Sequence, residues 1–90
     1  MAIKSKELAG DLRAGAAAPL RDDLAAALGK GDLRVKTAGL TGVDAAIVQV
    51  LVSARASAAQ MDRKLQIEMP KDGVLVAMLD RLAIDPAQLA

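Results

Sequence analysis

The chain of 90 residues contains no histidine, no cysteine and no aromatic residue. Without histidine and cysteine, Ser-His-Asp and Cys-His nucleophilic sites, zinc sites of the usual ligand set, disulfides and redox motifs are all excluded. An oxygen-only site for Mg²⁺ or Ca²⁺ needs spaced carboxylates, and no run of that kind occurs. No metal and no cofactor is expected. Without Phe, Tyr or Trp, base stacking has no platform, which argues against single-stranded nucleic acid. The charge argues the same way, because 12 Lys and Arg against 11 Asp and Glu give no strong positive field. No apolar run reaches the ~20 residues that span a bilayer, and the N-terminus turns polar too early for a signal peptide. A protein of the cytoplasm without membrane insertion is expected.

What is present is aliphatic. Hydrophobic residues make up 53% of the chain and charged ones 26%, the balance of a globular protein. Ninety residues fit one domain, and a chain of this size buries only about 60–65% of its unfolded surface. A core of Leu, Val, Ile and Ala packs on volume and patterning alone. Lacking the large area an aromatic side chain buries, it is expected to be of modest stability.

Period-two alternation marks the strands. Leu33, Val35 and Thr37 share one face, with Arg34 and Lys36 on the other. Leu65, Ile67 and Met69 repeat the pattern against Lys64, Gln66 and Glu68. Residues 3–8 are a weaker strand candidate, and Asp11-Leu12-Arg13 adds a short one. Residues 14–18 form a small-residue run that approaches a helix. Leu20, Leu24, Ala27 and Leu28 lie at helical spacing behind Pro19, and Gly29 and Gly31 stop that helix. In the second helix Ile47, Val50, Leu51, Ala54, Ala58 and Met61 form one stripe, flanked by Val43, with Asp44 as N-cap. The third runs from about Gly73 to Leu82, with Leu75, Met78, Leu79 and Leu82 on one side, and Pro86 prevents its extension.

Strands that alternate with helices imply β-α-β units with parallel central strands. Charged residues on one face of each strand imply that this face is wet. The expected architecture is an α/β domain over residues 1–90: a small mixed, partly parallel four-stranded sheet with helices packed on one face.

Several local sequences, in this order, resemble the STAS domain (sulphate transporter and anti-sigma factor antagonist). They are Asp11-Leu12-Arg13, then Pro19-Leu20-Arg21-Asp22-Asp23-Leu24, then Val43-Asp44 leading into Ile47-Val48-Gln49-Val50-Leu51, then Leu82-Ala83-Ile84-Asp85. The resemblance covers roughly residues 10–85. Asp44, Gln49 and Leu51 look most like short STAS proteins found with bacterial chemotaxis genes, and the STAS subunit of lipid-trafficking ABC transporters is a near relative. In the family a Ser or Thr after the Asp is phosphorylated by a partner kinase. A phosphate there adds about two negative charges at a helix N-terminus. The matching positions here are Ala45 and Ala46, and Ile47 replaces the usual Gly, so no phosphorylation is expected at them.

The resemblance implies a non-enzymatic regulatory module of a bacterial signalling system. Its expected partner is a signalling kinase, either a chemotaxis histidine kinase or an anti-sigma kinase, or an anti-sigma factor. The alternative is the STAS subunit of an ABC transporter, bound to its ATPase. The expected docking surface is the loop at residues 40–43 with the first turns of the second helix, namely Asp44, Ala45, Ala46, Val48, Gln49 and Val52. Ala45, Val48, Val52, Ala56 and Ala59 form a second stripe on this helix, which either packs on the first helix or stays exposed for a partner. Gln49 and Ser53 border it, and Asp44 reads both as helix cap and as partner contact. An edge strand at residues 3–8 or this strip also offers a route to a homodimer.

Other features read as structural. Arg21-Asp22-Asp23 is a solvated helix face with no nearby acid, base or pocket. Thr37-Ala38-Gly39-Leu40-Thr41-Gly42 has the small residues of a phosphate loop but lacks the Gly-x-x-x-x-Gly-Lys-Ser/Thr pattern. Ser53 and Ser57 lie inside a helix and are poor phosphorylation targets.

Overall fold

The computed structural model describes residues 4–89. Three strands, β1 (Lys4–Leu12), β2 (Leu33–Val43) and β3 (Leu65–Glu68), alternate with helices α1 (Ala17–Lys30), α2 (Ala45–Gln60) and α3 (Val74–Arg81). The sheet has the order β1-β2-β3 and both pairings are parallel. A short 3-10 turn, Ala14–Ala16, leads into α1, and another, Pro86–Gln88, follows α3. Right-handed crossovers along a sheet in simple 1-2-3 order put their helices on the same face. Burial agrees: Leu33, Val35, Thr37, Leu65 and Ile67 are covered, while Lys36, Gln66 and Glu68 lie exposed on the other face.

The sheet therefore has three strands and not the expected four, and it is parallel rather than mixed. The two N-terminal candidates, residues 3–8 and 11–13, are one continuous strand; Ile3 itself lies outside the described residues. Gly10, with φ of +81°, lets that strand pass through a kink at which a side chain would be strained. The segment Thr37-Ala38-Gly39-Leu40-Thr41-Gly42 is not a loop but the second half of β2. Register shifts against β1 between Glu7 and Ala9 and between Gly10 and Asp11 each add a residue on the β2 side. Each added residue reverses the alternation, so the buried positions run Leu33, Val35, Thr37, then Leu40, then Val43. Simple period-two reading ends at the first of these irregularities.

Leu24, Leu28, Val35, Ile47, Leu51 and Leu79 form the centre of one aliphatic core. Thr37 is the buried polar residue, and its hydroxyl donates to the Glu68 carbonyl at 2.7 Å, which meets the cost of burying it. Arg55, half-buried on α2, is the longest tie: its Nη1 donates to the Leu65 carbonyl at 2.8 Å and to the Leu89 carbonyl at 3.1 Å. It joins α2, the start of β3 and the C-terminal turn.

Met61 and Leu82, expected on buried stripes, are 43% and 39% exposed. Both are C-cap residues, where the chain leaves the helix. The two helices end alike. After α2, the Arg63 N–H donates to the Ala58 carbonyl and the Asp62 N–H to that of Ala59, with Asp62 at φ of +56°. After α3, the Ile84 N–H donates to the Leu79 carbonyl and the Ala83 N–H to that of Asp80, with Ala83 at φ of +58°. These are Schellman turns without the usual glycine.

Ala83 bears the steric cost of the left-handed conformation with no side-chain hydrogen bond to offset it. Ala83→Gly is expected to stabilise the fold by about 1 kcal/mol. Urea unfolding at constant m-value checks this, and a loss of stability would contradict the assigned turn.

Candidate functional site

The start of α2 is built around one carboxylate. Asp44 has extended backbone geometry and its Oδ1 accepts the Ile47 N–H at 3.2 Å, as an N-cap does. Its Oδ2 accepts the Ala14 N–H at 2.8 Å, from the 3-10 turn that leads into α1. One side chain thus satisfies the unpaired N–H groups of two helical starts and holds them together. Sequence reading finds the first bond and misses the second, because its partner lies 30 positions away.

Beside it, at the carboxyl ends of β1 and β2, Arg13 Nε donates to Asp11 Oδ1 at 2.8 Å. A side chain on Gly42 would collide with this pair, so glycine lets Asp11 and Arg13 lie across β2. The resemblance pieces Asp11-Leu12-Arg13 and Val43-Asp44 are therefore brought to one end of the sheet.

The expected docking residues divide along α2. Ala45, Gln49 and Val52 are exposed, Val52 by 41%. With Ala56 and Ala59 they follow one another at i, i+4, i+7, i+11 and i+14, which keeps them on one face of the helix. Asp44 and Ala46 are half-buried. Val48 is corrected: it is 1% exposed, belongs to the core, and offers no side chain to a partner. It sits on the flank of α2 nearer the core, and α1 and α2 pack together. Residues 40–43 are corrected as well, since they are strand, with Leu40 and Val43 buried.

The exposed stripe lacks charge along its full length. Arg55 is the one charged residue in the sixteen of α2, and it turns away to bond backbone carbonyls. Exposed helix faces usually carry charges, so a charge-free one in a chain with 26% charged residues stands out. For chemistry the same region offers little: no hydroxyl follows Asp44, and no group of three metal-ligating side chains occurs among the described residues. No helix among them is long and apolar enough to cross a membrane.

Removing the Asp44 carboxylate leaves two N–H donors without partners. Asp44→Ala is expected to cost about 1–3 kcal/mol, while Asp44→Asn, which keeps an acceptor for one of them, costs less. Chemical denaturation of the three proteins checks the order; equal stability of the wild type and Asp44→Ala would contradict the double cap.

Comparison with known proteins agrees with this geometry. No curated protein matches the chain. A solved structure, described as a crystal structure analysis of Mglu, is similar in fold with a TM-score of 0.66 over 76% of this chain, at 17% identity. That likeness concerns the fold alone, and this chain corresponds to only 17% of the length of that protein. The family described as "Mlab, STAS domain" matches residues 6–86. With the parallel sheet, the capped start of α2 and nearly the whole described chain within that match, the protein belongs to the STAS domain family.

Proposed function

We propose that this chain is a non-catalytic protein-binding module of a regulatory or transporter-associated system. It docks through the exposed stripe of α2 that starts at Ala45 and continues through Gln49 and Val52 to Ala56. The observation that carries this reading is the absence of charge from that face, since charged residues are depleted where partners meet. STAS domains in general bind rather than catalyse, which is consistent with the missing histidine and cysteine.

Ala45 and Ala46 give a kinase no hydroxyl at the head of α2, so binding is stoichiometric and responds to the state of the partner. Small side chains there let a partner approach the helix backbone closely. Gln49 supplies a polar contact and Val52 an apolar one. Asp44 shapes the surface from beneath, with its carboxylate engaged in the two caps.

Two partners fit this surface. One is a signalling kinase, either a chemotaxis histidine kinase or an anti-sigma kinase. The other is the ATPase of an ABC transporter, and the match to a family described by the Mlab name favours it. Purification of the tagged chain from its host distinguishes them by the protein retained. Gln49→Arg and Val52→Glu each put a charge on the stripe without touching the core. Each is expected to reduce the retained partner at least tenfold with an unchanged unfolding midpoint. Full retention by both variants would sink the assignment of this surface.

A further inference from the structure

At the opposite end of α2 a pocket is lined by three cationic side chains. It lies along β3, an edge strand of the sheet, and has a volume of about 370 Å³. Arg55, Arg63, Lys64 and Gln66 line it together with Ala58 and Leu65, and no carboxylate does. Two acids lie beside it without lining it: Asp32 Oδ1 accepts the Lys64 backbone N–H at 2.9 Å, and Asp62, exposed on the Schellman turn, directly precedes Arg63. None of the ion pairs among the described residues includes Arg55, Arg63 or Lys64. In a chain of net charge +1, three cations around one pocket are a local concentration of donors.

The architecture holds these donors in place. Arg55 is fixed by its Nη1 bonds to the Leu65 and Leu89 carbonyls, which leave the N–H groups of Nε and Nη2 outside those bonds. Gln66 Oε1 accepts from Arg34 at 3.4 Å, so the amide NH₂ of Gln66 remains a donor. The Schellman turn at Asp62 reverses the chain and sets Arg63 and Lys64 at the pocket rim. A planar guanidinium beside two further cations suits a tetrahedral dianion better than a single carboxylate, because phosphate carries roughly −1.5 to −2 charges and three acceptor oxygens. The volume is that of a small-ligand pocket, for which about 300–1,000 Å³ is usual.

We infer that this pocket binds a phosphate group, carried either by a dissolved small molecule or by a lipid headgroup. It is separate from the docking stripe's head: Arg55, its nearest lining residue on α2, stands about 15 Å along the helix axis from Ala45 at about 1.5 Å per residue. Binding here stiffens the joint between α2, β3 and the C-terminal turn that Arg55 already makes.

The test is a ¹H–¹⁵N NMR titration of the full chain with inorganic phosphate, with ionic strength held constant by sodium chloride. Saturable shifts centred on the amides of Arg63, Lys64 and Leu65 are expected. The double variant Arg63→Gln, Lys64→Gln, whose side chains are exposed and outside the core, is expected to weaken binding at least tenfold. Absence of saturable shifts, shifts reproduced by chloride alone, or unchanged affinity in the double variant would overturn the proposal. So would tighter binding of a polyglutamate peptide than of phosphate. Sedimentation with phosphatidylcholine vesicles containing phosphatidic acid then separates the two sources. Co-sedimentation that depends on Arg63 and Lys64 supports a lipid headgroup, and phosphate saturation without it supports a dissolved ligand.

Discussion

The Asp44 carboxylate is the constraint on which the rest of the surface depends. Two hydrogen bonds from one side chain fix the first turn of α2 against the turn that opens α1. The direction in which α2 leaves the sheet is set there, and with it which residues face outward. In a core of Leu, Val and Ala alone, few polar contacts specify geometry, so each one counts more. Thr37 and Arg55 act in the same way lower in the fold, one joining β2 to the end of β3 and the other tying α2 to β3 and the C-terminal turn.

That economy fits the binding role proposed for a chain so poor in reactive side chains. An aspartate that elsewhere in the family precedes a phosphorylated hydroxyl is here committed to structure, and the next two positions are alanine. The surface that follows is shaped by what it lacks. The one charged residue of α2, Arg55, lies off this stripe and bonds backbone carbonyls, and side chains no larger than Val52 and Gln49 leave the helix backbone accessible. The two ends of α2 consequently differ in character: an uncharged head suited to a protein surface and a cationic tail suited to an anion.

Much of this was legible in the sequence where local rules act alone. Alternation in Leu33 to Thr37 and Leu65 to Ile67, the helical spacing of Leu20, Leu24 and Leu28, and the N-cap at Asp44 all appear as periodicity and propensity predict. What stayed hidden depends on contacts distant in sequence. The irregular register of β2 against β1 disguised strand as loop from Ala38 to Gly42, and the same irregularity buried Leu40 and Val43. Val48 lies on the boundary between the two stripes of α2, and its place in the core follows from tertiary packing that the spacing of the helix alone does not specify. The basic pocket draws on Arg55 and on residues up to eleven positions later, brought together by a helix end that carries no glycine to announce it.

The central claim, that the uncharged face of α2 is where a partner sits, is tested most directly by hydrogen exchange on the full chain with and without its captured partner. The account predicts slowed exchange in the first three turns of α2, with the open sheet face around Lys36 and Glu68 unchanged. Slowed exchange confined to that sheet face or to β1, with α2 unaffected, would contradict it.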